Sequence, residues 1–413
     1  MATTTTSSNT AQSDLQPTHT QQTEPKHYVT ATNARLLASN ILKANNVPSQ
    51  SADLIAQRLI AADLRGIDTH GMARLPSYLA RIRSGALSAT ATPTFHPITP
   101  CVGQVDGHNA FGHLCAHLGM SKAIEMAQTY GIGMVSVKRS NHFGMSAWIV
   151  QQALDAGMMS LVFTNSSPAL PAWGGREKIL GVSPIACGAP GGTKGRDFVL
   201  DMAPSVAARG KIHKAKRRGE KIPWDWALDG EGKRTDDPTK ALEEGSVMLP
   251  MGGPKGSGLS VMMDVFSGVL SGSNYAGGVI GPYDEKNVDK EADVGHFLVA
   301  IKPDLFMSSE EFRSRMDVLY QNVVGSKKMD GVDRIYFPGE IEQLEQEKRE
   351  REGIPLVEAE VEALNAEARR LELPRWCWRQ VEAVLPFQGS YALAQTALRT
   401  ASCGQRCPPT NTG

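Results

Sequence analysis

Cysteine is scarce: the 413 residues hold six (Cys101, Cys115, Cys187, Cys377, Cys403 and Cys407), and none forms a CxxC pair. Thiols scattered in this way supply neither a zinc ribbon nor a disulfide framework, so reduced, structural cysteines are expected. Net charge is missing too, with 43 Lys and Arg against 43 Asp and Glu. A balanced chain has no field to recruit nucleic acid or an anionic membrane, so neither is an expected partner and a small molecule is. No apolar run approaches the roughly 20 residues of a membrane span. The ten histidines include no HExxH or other paired-ligand spacing, so no metal is expected. The GxSxG elbow of serine hydrolases is absent. So is a Rossmann fingerprint: Gly131-Ile132-Gly133-Met134-Val135-Ser136 has Ser at the third glycine position and opens an apolar segment instead of following one. The first 28 residues, rich in Thr, Ser and Gln, are expected to be disordered. They contain no Arg and two acids, Asp14 and Glu24, which argues against a mitochondrial presequence and leaves the cytoplasm as the expected compartment.

What remains is the composition of an ordinary globular protein, 41% hydrophobic and 21% charged, long enough for two or three domains. Helical spacing begins near Thr30, with Thr32 or Asn33 as a cap, and Val47-Pro48 breaks it. A second helix runs to about Arg65, where Gly66 ends it. In the segment that follows, Met72, Leu75, Leu79 and Ile82 mark one helical face and His70, Arg74 and Tyr78 another. A guanidinium, an imidazole and a phenol on one side would suit a carboxylate; a solvated helix face is the plainer reading of the same pattern, and Pro76 sits awkwardly in it.

Between 102 and 300 short apolar runs alternate with helical ones. The stretch 131–171 organises the rest: an apolar segment, the loop Ser140-Asn141-His142-Phe143-Gly144, a helical pattern, a second apolar segment, then Thr164-Asn165-Ser166. Two polar clusters at the ends of two candidate strands are where catalytic groups usually sit, and a histidine moves protons near neutral pH without much tuning. Further on lie a strand at 198–202, a basic helix over about 206–218 whose charges read as a solvated face, and Gly252-Gly253-Pro254-Lys255-Gly256. The helix over 259–270 is apolar nearly all round and is expected to be buried. Residues 282–293 read as a loop, 297–301 as a strand, and 309–324, 341–352 and 358–371 as helices.

Taken in order, these stretches resemble the malate/L-lactate dehydrogenase family, the type that includes ureidoglycolate and sulfolactate dehydrogenases, across about 35–356. The resemblance rests on Arg65-Gly66-Ile67-Asp68-Thr69-His70-Gly71 with Arg74, on Ser140-Asn141-His142-Phe143-Gly144, and on Thr164-Asn165-Ser166. It rests also on Gly181-Val182-Ser183-Pro184, on Asp201-Met202-Ala203 before Ala208-Arg209-Gly210-Lys211, and on the glycine-lysine turn with Pro338-Gly339-Glu340 and Gly353-Ile354-Pro355-Leu356. It implies an α+β fold: a central mixed, largely antiparallel sheet in a non-Rossmann NAD(P)-binding region (101–302), flanked by a helical domain built from 29–100 and 303–372, with an atypical tail over 373–413. It implies a homodimer, with NAD or NADP as cofactor and a small 2-hydroxy or 2-oxo acid as substrate. The proton carrier would be His142, and the substrate carboxylate would meet Thr69, His70, Arg74 and Tyr78. The cofactor would meet Ser166, Asp201, Met202, Ala203, Lys255, Pro338, Gly339 and Glu340. Val182-Ser183 stands where the family has Thr-Asn, and Pro204, which lacks a backbone donor, where it has Thr. The alternatives in view are an NAD(P)H-dependent reductase of a cyclic imine carboxylate and a family-derived protein without activity.

Overall fold

The short apolar runs between residues 94 and 301 assemble into one seven-stranded sheet. The computed structural model describes residues 27–281 and 287–371; the expected terminal disorder, the tail with its three cysteines and part of the 282–293 loop lie outside them. In chain order the elements are β1 (His27–Val29), α1 (Ala31–Ala44), α2 (Ser49–Leu64), α3 (Leu75–Arg83), β2 (Thr94–Thr99), β3 (Val102–Asp106), α4 (Gly112–Tyr130), β4 (Ile132–Ser140), α5 (Ser146–Asp155), β5 (Met159–Thr164), β6 (Pro168–Leu170), β7 (Leu180–Gly181), β8 (Ile185–Ala189), β9 (Phe198–Met202), α6 (Arg209–Arg218), β10 (Ala227–Leu228), β11 (Val247–Met248), α7 (Pro254–Met263), β12 (Val294–Ile301), α8 (Ser309–Val324), α9 (Glu340–Glu352), β13 (Ile354–Leu356) and α10 (Glu358–Arg370).

The large sheet runs β2-β3-β4-β12-β5-β8-β9. Only β3 and β4 pair in parallel; every other neighbour is antiparallel. This is the mixed, largely antiparallel sheet expected, without the parallel strands whose carboxyl ends form a Rossmann crevice. β12 lies at the centre, buried from Val294 to Ala300, which its nearly unbroken apolar sequence allows. Helices α4 and α5 cover one face, packing Met120, Ala123, Ile149 and Val150 on Val135, Val137, Val162 and Leu298. The approach of α4 is close enough that a Cβ on Gly133 would collide with the Ala123 carbonyl. A second core gathers Leu37, Ile41, Ile55, Leu59, Leu75 and Leu79 from α1 to α3 with Ile354 and Leu364.

Three local readings change. The cap of α1 is Thr30, whose hydroxyl accepts the Asn33 N–H at 3.3 Å. Residues 65–78 are no single helix: two 3-10 turns, Asp68–His70 and Met72–Arg74, precede α3, which puts Pro76 in the first turn of α3, where a proline is tolerated. The third concerns 259–270. There α7 runs into a π-helical turn, Asp264–Val269, whose inner side packs Met263 and Phe266 on Phe163 and Phe297. The expected burial does not extend all round: Val261, Val265, Val269 and Leu270 are 45 to 55% exposed. The sheet covers one side of this helix, and nothing among the described residues covers the other.

Candidate active site

The C-terminal ends of β4 and β5 both stop beside β12, and one buried imidazole ties them together. His296 accepts or donates at 2.7 Å to the Thr164 hydroxyl through Nδ1 and at 2.8 Å to the Ser140 hydroxyl through Nε2. The loop after β4 is fixed from below by Asn141, whose amide nitrogen donates to Asn109 Oδ1 at 2.8 Å and to the Ala110 carbonyl at 2.9 Å. His142 therefore leaves the strand end on a rigid base, with Phe143 tilted against His296 (ring centres 4.7 Å apart).

The substrate-type residues reach the same place from the helical core. Asp63, buried at the end of α2, accepts the Met72 N–H at 2.9 Å and lies so close to Gly71 that any Cβ there would strike its carboxyl group. Arg349 of α9 holds the same loop by pairing with Asp68 and donating to the Asp63 carbonyl at 2.5 Å. So anchored, the two 3-10 turns present Thr69, His70 and Arg74, and α3 presents Tyr78. His70 stacks on His142 with ring centres 5.4 Å apart, and the Tyr78 hydroxyl lies 2.7 Å from His142 Nδ1. All five side chains line one cavity of about 390 Å³.

The hydrogen bonds fix the tautomer of His142. Its Nδ1 also receives the Gly144 N–H at 3.3 Å. A backbone N–H only donates, so Nδ1 acts as an acceptor, Tyr78 donates to it, and the imidazole proton sits on Nε2. The ring is neutral: burial first, then Arg74 and the neighbouring histidines, hold its pKa well below the ordinary value. Burial also depresses His70, to about 4.

The cofactor-type residues divide. Ser166 and Ala203 line the cavity with His142; Asp201, Met202, Lys255, Pro338, Gly339 and Glu340 do not. Those six nevertheless converge around β9. The Pro338 carbonyl accepts the Val199 N–H at 3.1 Å, and the turn before Lys255 docks through the Met251 N–H on the Pro204 carbonyl at 2.8 Å. Pro204 thus uses the one backbone group it retains. Two of the carboxylates are already engaged. Asp201 accepts the Ala147 N–H at 2.7 Å at the start of α5. Glu340 is buried against Arg334, Tyr320 and the Phe337 N–H, and the Pro338 and Gly339 carbonyls and the Glu340 N–H of that turn are bonded to Val199, Gln343 and Phe337. Ser166 Oγ is buried with no hydrogen-bond partner among the described residues, and so is Ser183 Oγ, both close to Gly181.

Sequence reasoning gave no site role to Arg81 and Arg209, which also line the cavity, or to His296, although Arg209 stood in one of the motif stretches. Arg81 stood seven residues after Arg74, on the same side of a helix; His296 had no local signal, since it lies in an apolar strand. No helix among the described residues is long and apolar enough to cross a membrane, and no group of three or more His, Cys, Asp or Glu there is arranged to hold a metal.

The sequence pattern of the malate/L-lactate dehydrogenase family matches residues 29–365. A malate dehydrogenase of Pyrococcus abyssi is 38% identical over 339 residues, covering 80% of this chain and 91% of its own. An L-sulfolactate dehydrogenase of Methanothermobacter thermautotrophicus is 37% identical over 338 residues, covering 82% and 95%. The solved sulfolactate dehydrogenase of Methanocaldococcus jannaschii superimposes with a TM-score of 0.79 at 33% identity, over 84% of this chain and 98% of its own. The chain belongs to the malate/L-lactate dehydrogenase family and is an NAD(P)-dependent 2-hydroxy acid dehydrogenase.

Proposed function

We propose that the chain interconverts a small 2-hydroxy acid and its 2-oxo acid, with His142 as the general acid and base and Arg74 holding the substrate carboxylate. One observation carries the reading: His142 and Arg74 line the same cavity, together with Thr69, His70 and Tyr78. The dinucleotide, NAD or NADP, supplies or takes the hydride at C2 when bound. Ser166, whose hydroxyl in the cavity wall has no partner among the described residues, fits a ligand that brings its own polar groups, and Asp201, Met202, Ala203, Lys255 and the Pro338-Gly339-Glu340 turn lie around the neighbouring end of β9.

In oxidation the substrate hydroxyl gives its proton to His142 Nε2. That nitrogen must first be bare, which puts the ring proton on Nδ1: Tyr78 then turns from donor to acceptor, as a hydroxyl can, and the long Gly144 N–H contact, which cannot reverse, has to open. In reduction the doubly protonated ring gives the Nε2 proton to the forming alkoxide. Arg74 pushes against protonation of His142 while the cavity is empty. A substrate carboxylate on Arg74 offsets that charge, so binding itself raises the proton affinity of the base. The arginine contributes orientation, holding C2 in one place relative to the imidazole.

The division of labour follows the two cores, with 29–100 and 303–372 supplying the substrate loop and 101–302 supplying His142 and most of the cofactor wall. We read the exposed strip Val261, Val265, Val269 and Leu270 as the face of a homodimer, and we place the enzyme in the cytoplasm on its composition. Val265→Asp should then halve the sedimenting mass; an unchanged dimer removes that interface.

The deciding experiment is a panel of 2-oxo acids and piperideine-2-carboxylate with NADH and NADPH, run on wild type and His142→Ala. The variant should lose roughly two to four powers of ten in turnover with dinucleotide binding retained. Near-normal turnover refutes the role of His142. Activity confined to the cyclic imine makes the chain an imine reductase, and a protein with neither activity nor a dinucleotide-induced thermal shift is an inactive relative.

A further inference from the structure

The ladder between β4 and β12 is interrupted just before the base. Val294 of β12 faces Ser140 of β4, but His296 faces Val137, so β4 carries one residue more than its neighbour between the two pairs. Arg139, within this bulge, has a φ of +50°. A bulge bends its strand, re-aims the side chains beyond it and leaves the ladder locally disrupted. His142 follows Ser140 by two residues. Backbone pairing with β12 is therefore at its weakest where the position of the base is decided.

A side chain spans the gap. His296 is fully buried, and its Nε2 meets the Ser140 hydroxyl at 2.8 Å, past the bulge. On its other side, where the ladder to β5 is regular and His296 faces Thr164, its Nδ1 meets the Thr164 hydroxyl at 2.7 Å. That hydroxyl also lies 3.1 Å from the carbonyls of Gly295 and Asn165. A carbonyl only accepts, so Thr164 gives its one proton there and accepts from Nδ1–H. Nε2 is then bare and accepts from Ser140. The ring is a strut held in one tautomer and one orientation.

Its two ends matter for what stands beyond them. Ser140 precedes His142 by two residues, Thr164 precedes Ser166 by two, and His142 and Ser166 line the same cavity. The other anchor of the His142 loop, Asn141, ties it to Asn109 and Ala110 and not to β5.

We infer that His296 is a positioning residue of the reaction: through Ser140 and Thr164 it sets the distance between His142 and the dinucleotide, so that the hydroxyl proton and the C2 hydride leave one substrate in a single geometry. This rests on the roles of His142 and Ser166 given above. His296 does not line the cavity, so it binds neither ligand and its effect falls on the chemical step. A misplacement of about 1 Å between reacting groups costs on the order of 100-fold in rate and need not weaken either ligand.

The test compares wild type, His296→Phe, His296→Gln, Ser140→Ala and the double variant His296→Phe/Ser140→Ala. Each reduces oxaloacetate, or whichever acid of the panel above the wild type reduces faster. Single-turnover hydride transfer, substrate KM and dinucleotide Kd are measured, with thermal unfolding alongside. His296→Phe removes the strut and should slow hydride transfer by on the order of 100-fold, with KM and Kd within about threefold of wild type. Ser140→Ala, which cuts only the arm to the base, should slow it by about 10-fold and add nothing to His296→Phe, because the two share one path. His296→Gln, a neutral amide that still pairs with a hydroxyl, should recover part of the rate.

A ring that merely fills the core predicts an unchanged rate in His296→Phe, which overturns the inference. A ring that holds up the whole site predicts that rate, KM, Kd and thermal stability worsen together with no rescue by Gln, which overturns it too. So do additive effects in the double variant. In these cases an inactive His142→Ala, assayed in parallel, leaves the role of the base standing. A wild type that reduces no 2-oxo acid removes both readings. Should His296→Phe not fold, Ser140→Ala and His296→Gln decide by the same split: slower transfer with binding kept supports the inference, and an unchanged rate or a joint loss refutes it.

Discussion

The histidines behind the cavity make a prediction that can be worked through. His113 is 1% exposed, neither ring nitrogen has a hydrogen-bond partner among the described residues, and burial, then Arg58 and the nearby imidazoles, pull its pKa to about 3. His296 is fully buried between Thr164 and Ser140, with a pKa also pulled to about 3 by burial. Both start from an ordinary value of 6.5. Unfolded, each binds a proton as the pH falls through 6.5; folded, neither does until about 3. Their stabilising share is therefore whole above 6.5 and is lost progressively below it. Between pH 7.5 and 5.5 the linkage relation makes each worth on the order of 1 kcal/mol. Buried carboxyls raised in pKa, such as Asp63, act in the opposite sense, so the informative quantity is a difference between variants. Urea unfolding of wild type and His113→Leu at both pH values, at one protein concentration, isolates it. The variant should lose on the order of 1 kcal/mol less than wild type on acidification, whatever its absolute stability. Equal losses would mean that His113 takes up its proton in the native state, and the account of a sealed, neutral imidazole behind Tyr78 would fail.

Other expectations follow from the same geometry. Because the pKa of His142 lies well below 6.5 in the free enzyme, kcat/KM for oxidation should hold constant as the pH falls past 6.5, whereas an ordinary histidine would halve it there; a pH-rate profile decides. Tyr78→Phe removes the hydroxyl that sets the tautomer of His142, and should lower kcat by about 10- to 100-fold, the scale of a charge-assisted hydrogen bond, with carboxylate affinity largely kept. Rates within twofold of wild type would dismiss that role. Gly71→Ala drives a methyl group into Asp63 and should cost about 1 to 3 kcal/mol in chemical denaturation while raising substrate KM; a neutral result would show that the loop relaxes freely.

Much of the architecture was legible along the chain because its signals are local. The apolar run of β12, the periodicity of α8 to α10 and the glycine after α2 each depend on neighbours within a few residues. The motifs around Arg74, His142 and Ser166 could be read in the same way, and their order along the chain named the family. Pro76 shows where local reading stops. It argued against a helical face and marks the first turn of α3, a distinction that depends on Asp63 holding Met72 from another helix. The helix at 259–270 shows the same limit, since composition called it buried and only the one-sided cover of the sheet left Val261 and Val265 exposed.

Sequence by itself determined which chemical groups this protein owns and the short segments that carry them. Tertiary structure alone decided that Tyr78 faces His142, that His296 joins two strand ends, that Glu340 is spent on Arg334, and that Arg81 shares a cavity with Arg74. Pairings of this kind, set by packing between segments tens to hundreds of residues apart, leave no trace in spacing or periodicity.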